Sequence, residues 1–92
     1  MDKQINILVV DDSAFMRLLL TDLLSKDDEI NVVGSAVDGK EAVKLSKELR
    51  PDVVLMDMNM GEYDGLYAVE RIMKVHPVPI LILSSVGNTN LD

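Results

Sequence analysis

Short aliphatic runs and longer stretches of helical spacing take turns along this chain, and that alternation limits its fold more than any other feature. The runs are Ile5 to Val10, Ile30 to Ala36, Asp52 to Met56 (ending at Asp57) and Ile80 to Leu83. The first, Ile-Asn-Ile-Leu-Val-Val, is β-branched and almost unbroken rather than alternating, the pattern of a strand buried on both faces. Ala14 to about Lys26 carries Phe15, Leu18, Leu19 and Leu23 at helical spacing. Lys40 to Arg50 does the same with Ala42, Val43, Leu45, Ser46 and Leu49, and Leu66 to about Val75 with Leu66, Val69, Ile72 and Met73. Pro51 stops the second helix, and His76-Pro77-Val78-Pro79 is a rigid connector into the last run. Strands separated by helices are joined by right-handed crossovers and pair in parallel. The pattern predicts an α/β domain with helices on both faces of a parallel sheet.

The bulk properties exclude several functions. Ninety-two residues make one domain, and with only two Tyr and one Phe its core must be aliphatic. The net charge of −7 has the wrong sign for nucleic acid or an anionic membrane surface. The absence of cysteine removes disulfides, thiolate metal sites and a cysteine nucleophile. No apolar run approaches the roughly 20 residues of a membrane span, and Met-Asp-Lys-Gln does not begin a signal peptide. A cytoplasmic location is expected.

In an open parallel sheet, ligands bind at the carboxyl ends of the strands. Three runs here end in oxygen-bearing side chains: Asp11-Asp12, Asp57 and Ser84-Ser85. Taken singly each is ordinary, Asp-Asp-Ser as a helix cap and the others as strand exits. Together they point to a site. Converging carboxylates raise one another's pKa, and a cation relieves that cost. Oxygen ligands without His or Cys select a hard ion such as Mg²⁺, completed by water and phosphate oxygens. Asp57, at the end of a central strand, can attack phosphorus through a carboxylate oxygen, giving an acyl phosphate. Mg²⁺ on Asp12 and Asp57 would neutralise the phosphoryl oxygens, and the Ser84 hydroxyl could donate to one of them. His76 reads as a surface residue, Met56 as core and Lys40, Lys44 and Lys47 as a solvated helix face. Tyr63 and Tyr67 lie near the acidic end in sequence and read as partly buried.

Ile7-Leu8-Val9-Val10-Asp11-Asp12-Ser13, the stretch from Asp57 through Met60 to Asp64-Gly65, and Pro79 to Ser84 resemble the receiver domain of two-component response regulators. Asp12 to Arg17 resembles the chemotaxis regulators of that family, and Ile72-Met73, His76 to Pro79 and Leu83-Ser84-Ser85 look most like the N-terminal receiver of the chemotaxis protein-glutamate methylesterases (the CheB group). The resemblance implies a flavodoxin-like, CheY-like three-layer fold with strand order 2-1-3-4. It implies Asp57 as phospho-acceptor, charged by a CheA-like sensor histidine kinase or a small phosphodonor. Asp12 matches a direct Mg²⁺ ligand, Asp11 a carboxylate acting through water, Asn59 a backbone-carbonyl ligand and Ser84 the switch hydroxyl. The output would be control of an effector domain or partner protein, in this group a methylesterase whose machinery lies outside residues 1–92. The chain by itself is then a regulatory module rather than an enzyme.

Two departures from the family pattern stand out. Gly61 follows Met60 where the family has Pro, which loosens the loop. Nothing after Ser84 matches the usual fifth strand ending in Lys, or the closing helices. Residues 1–92 therefore read as one receiver domain that is incomplete at its C-terminal side. Ile80 to Leu83 would then be an apolar edge, prone to dimerisation or strand exchange. Three alternatives stand beside the main reading: a free-standing CheY-like receiver, a non-signalling module that assembles through that edge, and a magnesium-dependent aspartyl phosphatase. The last commonly wants Asp-x-Asp after the first strand, whereas here Asp11 and Asp12 are adjacent.

Overall fold

A computed structural model describes residues 3–58, 60 and 65–83. They form β1 (Ile5–Val10), α1 (Ala14–Leu24), β2 (Ile30–Ala36), α2 (Gly39–Leu49), β3 (Val53–Asp57), α3 (Gly65–Val75) and β4 (Ile80–Leu83). The strands make one parallel sheet in the order β2-β1-β3-β4, as the resemblance implied. β1 occupies an interior position, and Ile7 to Val10 are buried.

Ile7 faces Val32 while Leu8 faces Gly34, so Val33 is an extra residue and β2 bulges there. Glycine at this bend lets α2 lie close. A Cβ on Gly34 would come within 2.8 Å of the Leu49 side chain.

α1 and α2 each begin where a side chain can satisfy a free amide. Ser13 Oγ accepts from the Met16 N–H at 3.2 Å, and Asp38 Oδ1 accepts from the Glu41 N–H at 2.8 Å. Asp38 is thus the cap of α2 and Gly39 its first residue. Arg50, with φ 46°, closes α2 in the left-handed conformation, and its N–H donates to Ser46 O. Pro51 follows at once, as the sequence indicates.

Leu8 and Val10 of β1, Val54 and Met56 of β3, Ala42 of α2, and Ala68 and Ile72 of α3 make the buried cluster on one face. α2 and α3 also pack on each other. Of the residues whose spacing marked α3, Ile72 is buried and Val69 packs against the core cluster, whereas Leu66 and Met73 are exposed; Gly65 and Ala68 complete the buried line. Small side chains are what allow α3 to approach a helix and the sheet together.

The opposite face carries α1, which packs on β1 and β2. None of its residues is buried. Met16, Leu20 and Leu24, one turn apart, are half-buried, while Phe15 (71% exposed), Leu18 (72%), Leu19 and Leu23 face outward. α1 is apolar nearly all round, so its spacing revealed a helix without revealing the contacting side.

His76, read as a surface residue, is half-buried instead, and its Nε2 lies 2.6 Å from the Pro51 carbonyl. That contact ties the end of α3 to the entrance of β3.

Candidate functional site

β1 delivers Asp11 to the carboxyl edge of the sheet. The ladder continues one residue past the strand, with the Asp11 N–H donating to Ala36 O at 3.1 Å. Its Oδ1 accepts the Ser13 N–H at 2.9 Å, the local turn that aspartate favours. Ser13, not either aspartate, caps α1. Capping therefore consumes one residue of Asp11-Asp12-Ser13 and leaves the Asp12 carboxylate exposed.

β3 delivers Asp57. Val10 and Met56 are partners in the parallel register, so Asp11 and Asp57 follow adjacent strands out of the sheet. Asp57 is the last residue of β3 itself, paired with Leu83, and is held by strand geometry. One carboxylate oxygen from each of Asp11, Asp12 and Asp57 lies within 4.8 Å of the others. Asp11 is buried, Asp57 half-buried and Asp12 exposed, so the cluster opens to solvent on the Asp12 side.

Burial pushes the Asp11 carboxyl above its usual value of 3.8, and the charges of Asp57 and Asp12 add to that rise. The Ser13 N–H and the Arg17 guanidinium oppose it without cancelling it. A raised carboxylate among like charges is the electrostatic state that a divalent cation relieves. Three carboxylate oxygens at this spacing, with no nitrogen or sulfur donor among them, fit a hard cation such as Mg²⁺, which keeps water in its remaining positions.

The approach of α3 completes the described surroundings. A Cβ on Gly65 would lie 3.0 Å from the Met58 Cα and overlap the Met58 sulfur. Only glycine lets the first turn of α3 sit this close to the residue after Asp57. Met60, 2% exposed, belongs to the buried core cluster. Asn59 and Ser84 lie outside the described residues, as do Gly61 and Tyr63. Tyr67 is half-buried, with the Arg71 guanidinium 5.1 Å from its ring centre.

The sequence reading missed Arg17, whose Nη1 donates to the Asp11 carbonyl at 2.9 Å. Its position four residues after the Ser13 cap, in the second turn of α1, is the signal that could have found it. It likewise gave Gly65 no part in the site, although Asp64-Gly65 was visible.

Residues 7–91 match the response regulator receiver domain family. Over 87 residues, 95% of its length, the chain is 51% identical to a protein-glutamate methylesterase/protein-glutamine glutaminase of Caldanaerobacter subterraneus subsp. tengcongensis. It spans 24% of that relative's length. The solved response regulator domain of Thermotoga maritima CheB superposes with a TM-score of 0.89 at 43% identity, covering 96% of this chain and 66% of that one. The Borrelia burgdorferi CheX–CheY–BeF₃–Mg²⁺ complex contains a chain that superposes with a TM-score of 0.83 at 30% identity, covering 95% of this chain and 66% of that one. Four parallel strands in the order 2-1-3-4, three helices and these likenesses together make the chain a member of the response-regulator receiver family, of the CheB-like chemotaxis kind.

Proposed function

We propose that Asp57 accepts a phosphoryl group with Mg²⁺ as its counter-ion, and that this switches the state of an effector. The convergence of three carboxylates within 4.8 Å at the ends of β1 and β3 carries the reading. Asp11, Asp12, Asp57 and the Asn59 backbone carbonyl would hold the ion, which supplies positive charge against the phosphoryl oxygens. Asp57 presents the attacking oxygen from the rigid end of a central strand, so little reorganisation is needed for an in-line approach. Ser84 follows Leu83, the partner of Asp57 in the register, and its hydroxyl serves as the switch group. The relative solved with BeF₃ and Mg²⁺ supports the same combination of ligands.

A CheA-like histidine kinase is the phosphoryl donor that the chemotaxis likeness favours over other sensors, and a solved neighbour at 30% identity, CheY6 in complex with the P1 domain of CheA3, supports it. A protein-glutamate methylesterase is the effector that the methylesterase relatives support, in preference to a free-standing CheY-like receiver. A cytoplasmic site of action fits a chain in which no described helix is long and apolar enough to cross a membrane.

Incubation with Mg²⁺ and acetyl phosphate or phosphoramidate, followed by intact-mass measurement, tests the proposal. A gain of one phosphoryl group that disappears in Asp57→Asn is expected. Steady phosphate release from a phosphomonoester would instead indicate the phosphatase.

A second reading, assembly through β4, has its own observation. Leu81 (58% exposed) and Ile82 are exposed, and among the described residues β4 pairs with β3 alone. Sedimentation at micromolar concentration distinguishes it: a stable monomer removes the assembly reading. A dimer that forms no phosphoryl adduct, with Mg²⁺ binding intact, supports it.

A further inference from the structure

Arg17 brings a cation and a rigid fork of donors to the acidic corner. It stands half-buried in α1, and its side chain grips the loop that carries Asp12. Its Nη1 donates to the Asp11 carbonyl at 2.9 Å, the carbonyl of the peptide unit that joins Asp11 to Asp12, while the bond of its N–H to the Ser13 carbonyl at 3.0 Å is the ordinary first-turn bond of α1. The Asp12 side chain is exposed, so no packing of its own fixes the direction in which its carboxylate points. Its placement depends on the backbone on both sides of it.

We infer that Arg17 is a positioning residue for the cation site, acting through the Asp11 carbonyl to aim the Asp12 carboxylate at the ion. The inference rests on the reading of Asp11, Asp12 and Asp57 as a Mg²⁺ site. The guanidinium bond goes to main chain, which leaves carboxylate oxygens available to a metal. Arginine suits the task because its planar fork is rigid and always charged. Like charge sets up an opposing effect: a guanidinium near the site repels Mg²⁺. Charge and position therefore predict opposite signs when Arg17 is removed.

That opposition makes the test decisive. Mg²⁺ binding to the intact protein carrying this chain is measured by titration calorimetry for the wild type, Arg17→Met and Arg17→Lys, each checked by thermal melting. Loss of a hydrogen bond from a charged donor predicts about tenfold weaker binding in Arg17→Met. Arg17→Lys keeps charge and stem but not the fork, and a loss of about threefold is expected on the same scale. Should Arg17→Met fail to fold, Arg17→Lys carries the measurement.

The Mg²⁺ dependence of phosphoryl uptake from acetyl phosphate gives the second readout. The half-saturating Mg²⁺ concentration should rise by more than the plateau rate falls, a split that general destabilisation would not produce. Arg17→Met binding Mg²⁺ as tightly as the wild type or more so, or Arg17→Lys binding unchanged, overturns the positioning role while leaving the site intact. A wild type that takes up neither Mg²⁺ nor phosphoryl group overturns the site itself, and the positioning role with it.

Discussion

The two faces of the sheet are made from the same aliphatic alphabet and end in opposite states. On the face covered by α2 and α3, helix and sheet meet through Ala42, Ala68 and Gly65, and the large residues Leu8, Met56 and Ile72 are fully enclosed. On the α1 face the helix is richer in large apolar residues, yet it buries none of them. Density of contact, and not hydrophobicity, separates the two. A helix with two packed neighbours needs small residues to approach both; a helix with one covers the sheet with one stripe and leaves the rest outward. α1 presents a second stripe, Phe15, Leu18, Leu19 and Leu23, to the outside.

The contrast can be broken most forcefully by truncating one large residue on each face. Ile72→Ala should cost about 2–5 kcal/mol, the range for an enclosed aliphatic side chain, whereas Leu18→Ala should stay within about 0.5 kcal/mol. Chemical denaturation of the two variants checks this, and equal losses would abolish the distinction. Next in size, Gly65→Ala forces a methyl group toward the Met58 backbone and should cost about 1–3 kcal/mol. It should also slow phosphoryl uptake, because the strain falls one residue beyond Asp57. A smaller effect of opposite sign is expected at Ser46, whose Oγ is buried without a hydrogen-bond partner. Ser46→Ala should raise stability by about 1 kcal/mol, read as a higher melting midpoint.

The smallest expected effect lies at the rim between the faces and depends on pH. Asp11 has a carboxyl pKa above 3.8 in the folded protein, so the folded state holds that proton more tightly than the unfolded chain. Without Mg²⁺, this group's contribution to stability therefore falls as pH rises from 3.8 through the raised value, and the loss persists above it. Asp11→Asn should remove that fall. Melting curves across the interval, with and without Mg²⁺, check both the sign and its relief by the ion.

The strands were legible to the residue in three of four cases, because unbroken aliphatic runs admit few other readings. β3 differs at its ends: it starts at Val53 and takes in Asp57. The acidic corner was legible as well, since strand ends in a parallel sheet share one edge. Helix faces were harder. Spacing in α1 and α3 reports a period of 3.6, but when apolar residues occupy more than one stripe the period does not say which stripe meets the sheet. The inward line of α3 runs through glycine and alanine, the residues that carry least hydrophobic signal. Arg17 and His76 escaped for another reason. Both bond to main-chain carbonyls far from them in the chain or across a turn, and a carbonyl has no letter in the sequence.

The interior position of β1 sets an order of events during folding. β1 is synthesised before both of its partners and pairs on either side with a strand made later, β2 from Ile30 and β3 from Val53. Ile7 to Val10 therefore remain a sticky, half-paired segment until the chain has been made through Asp57. Its second partner arrives only after a loop of some forty residues has closed, an entropic delay that local helix formation in α1 and α2 shortens. The strand that closes the sheet around β1 is the strand that ends in Asp57, so enclosing β1 and placing the third carboxylate of the cluster are one event.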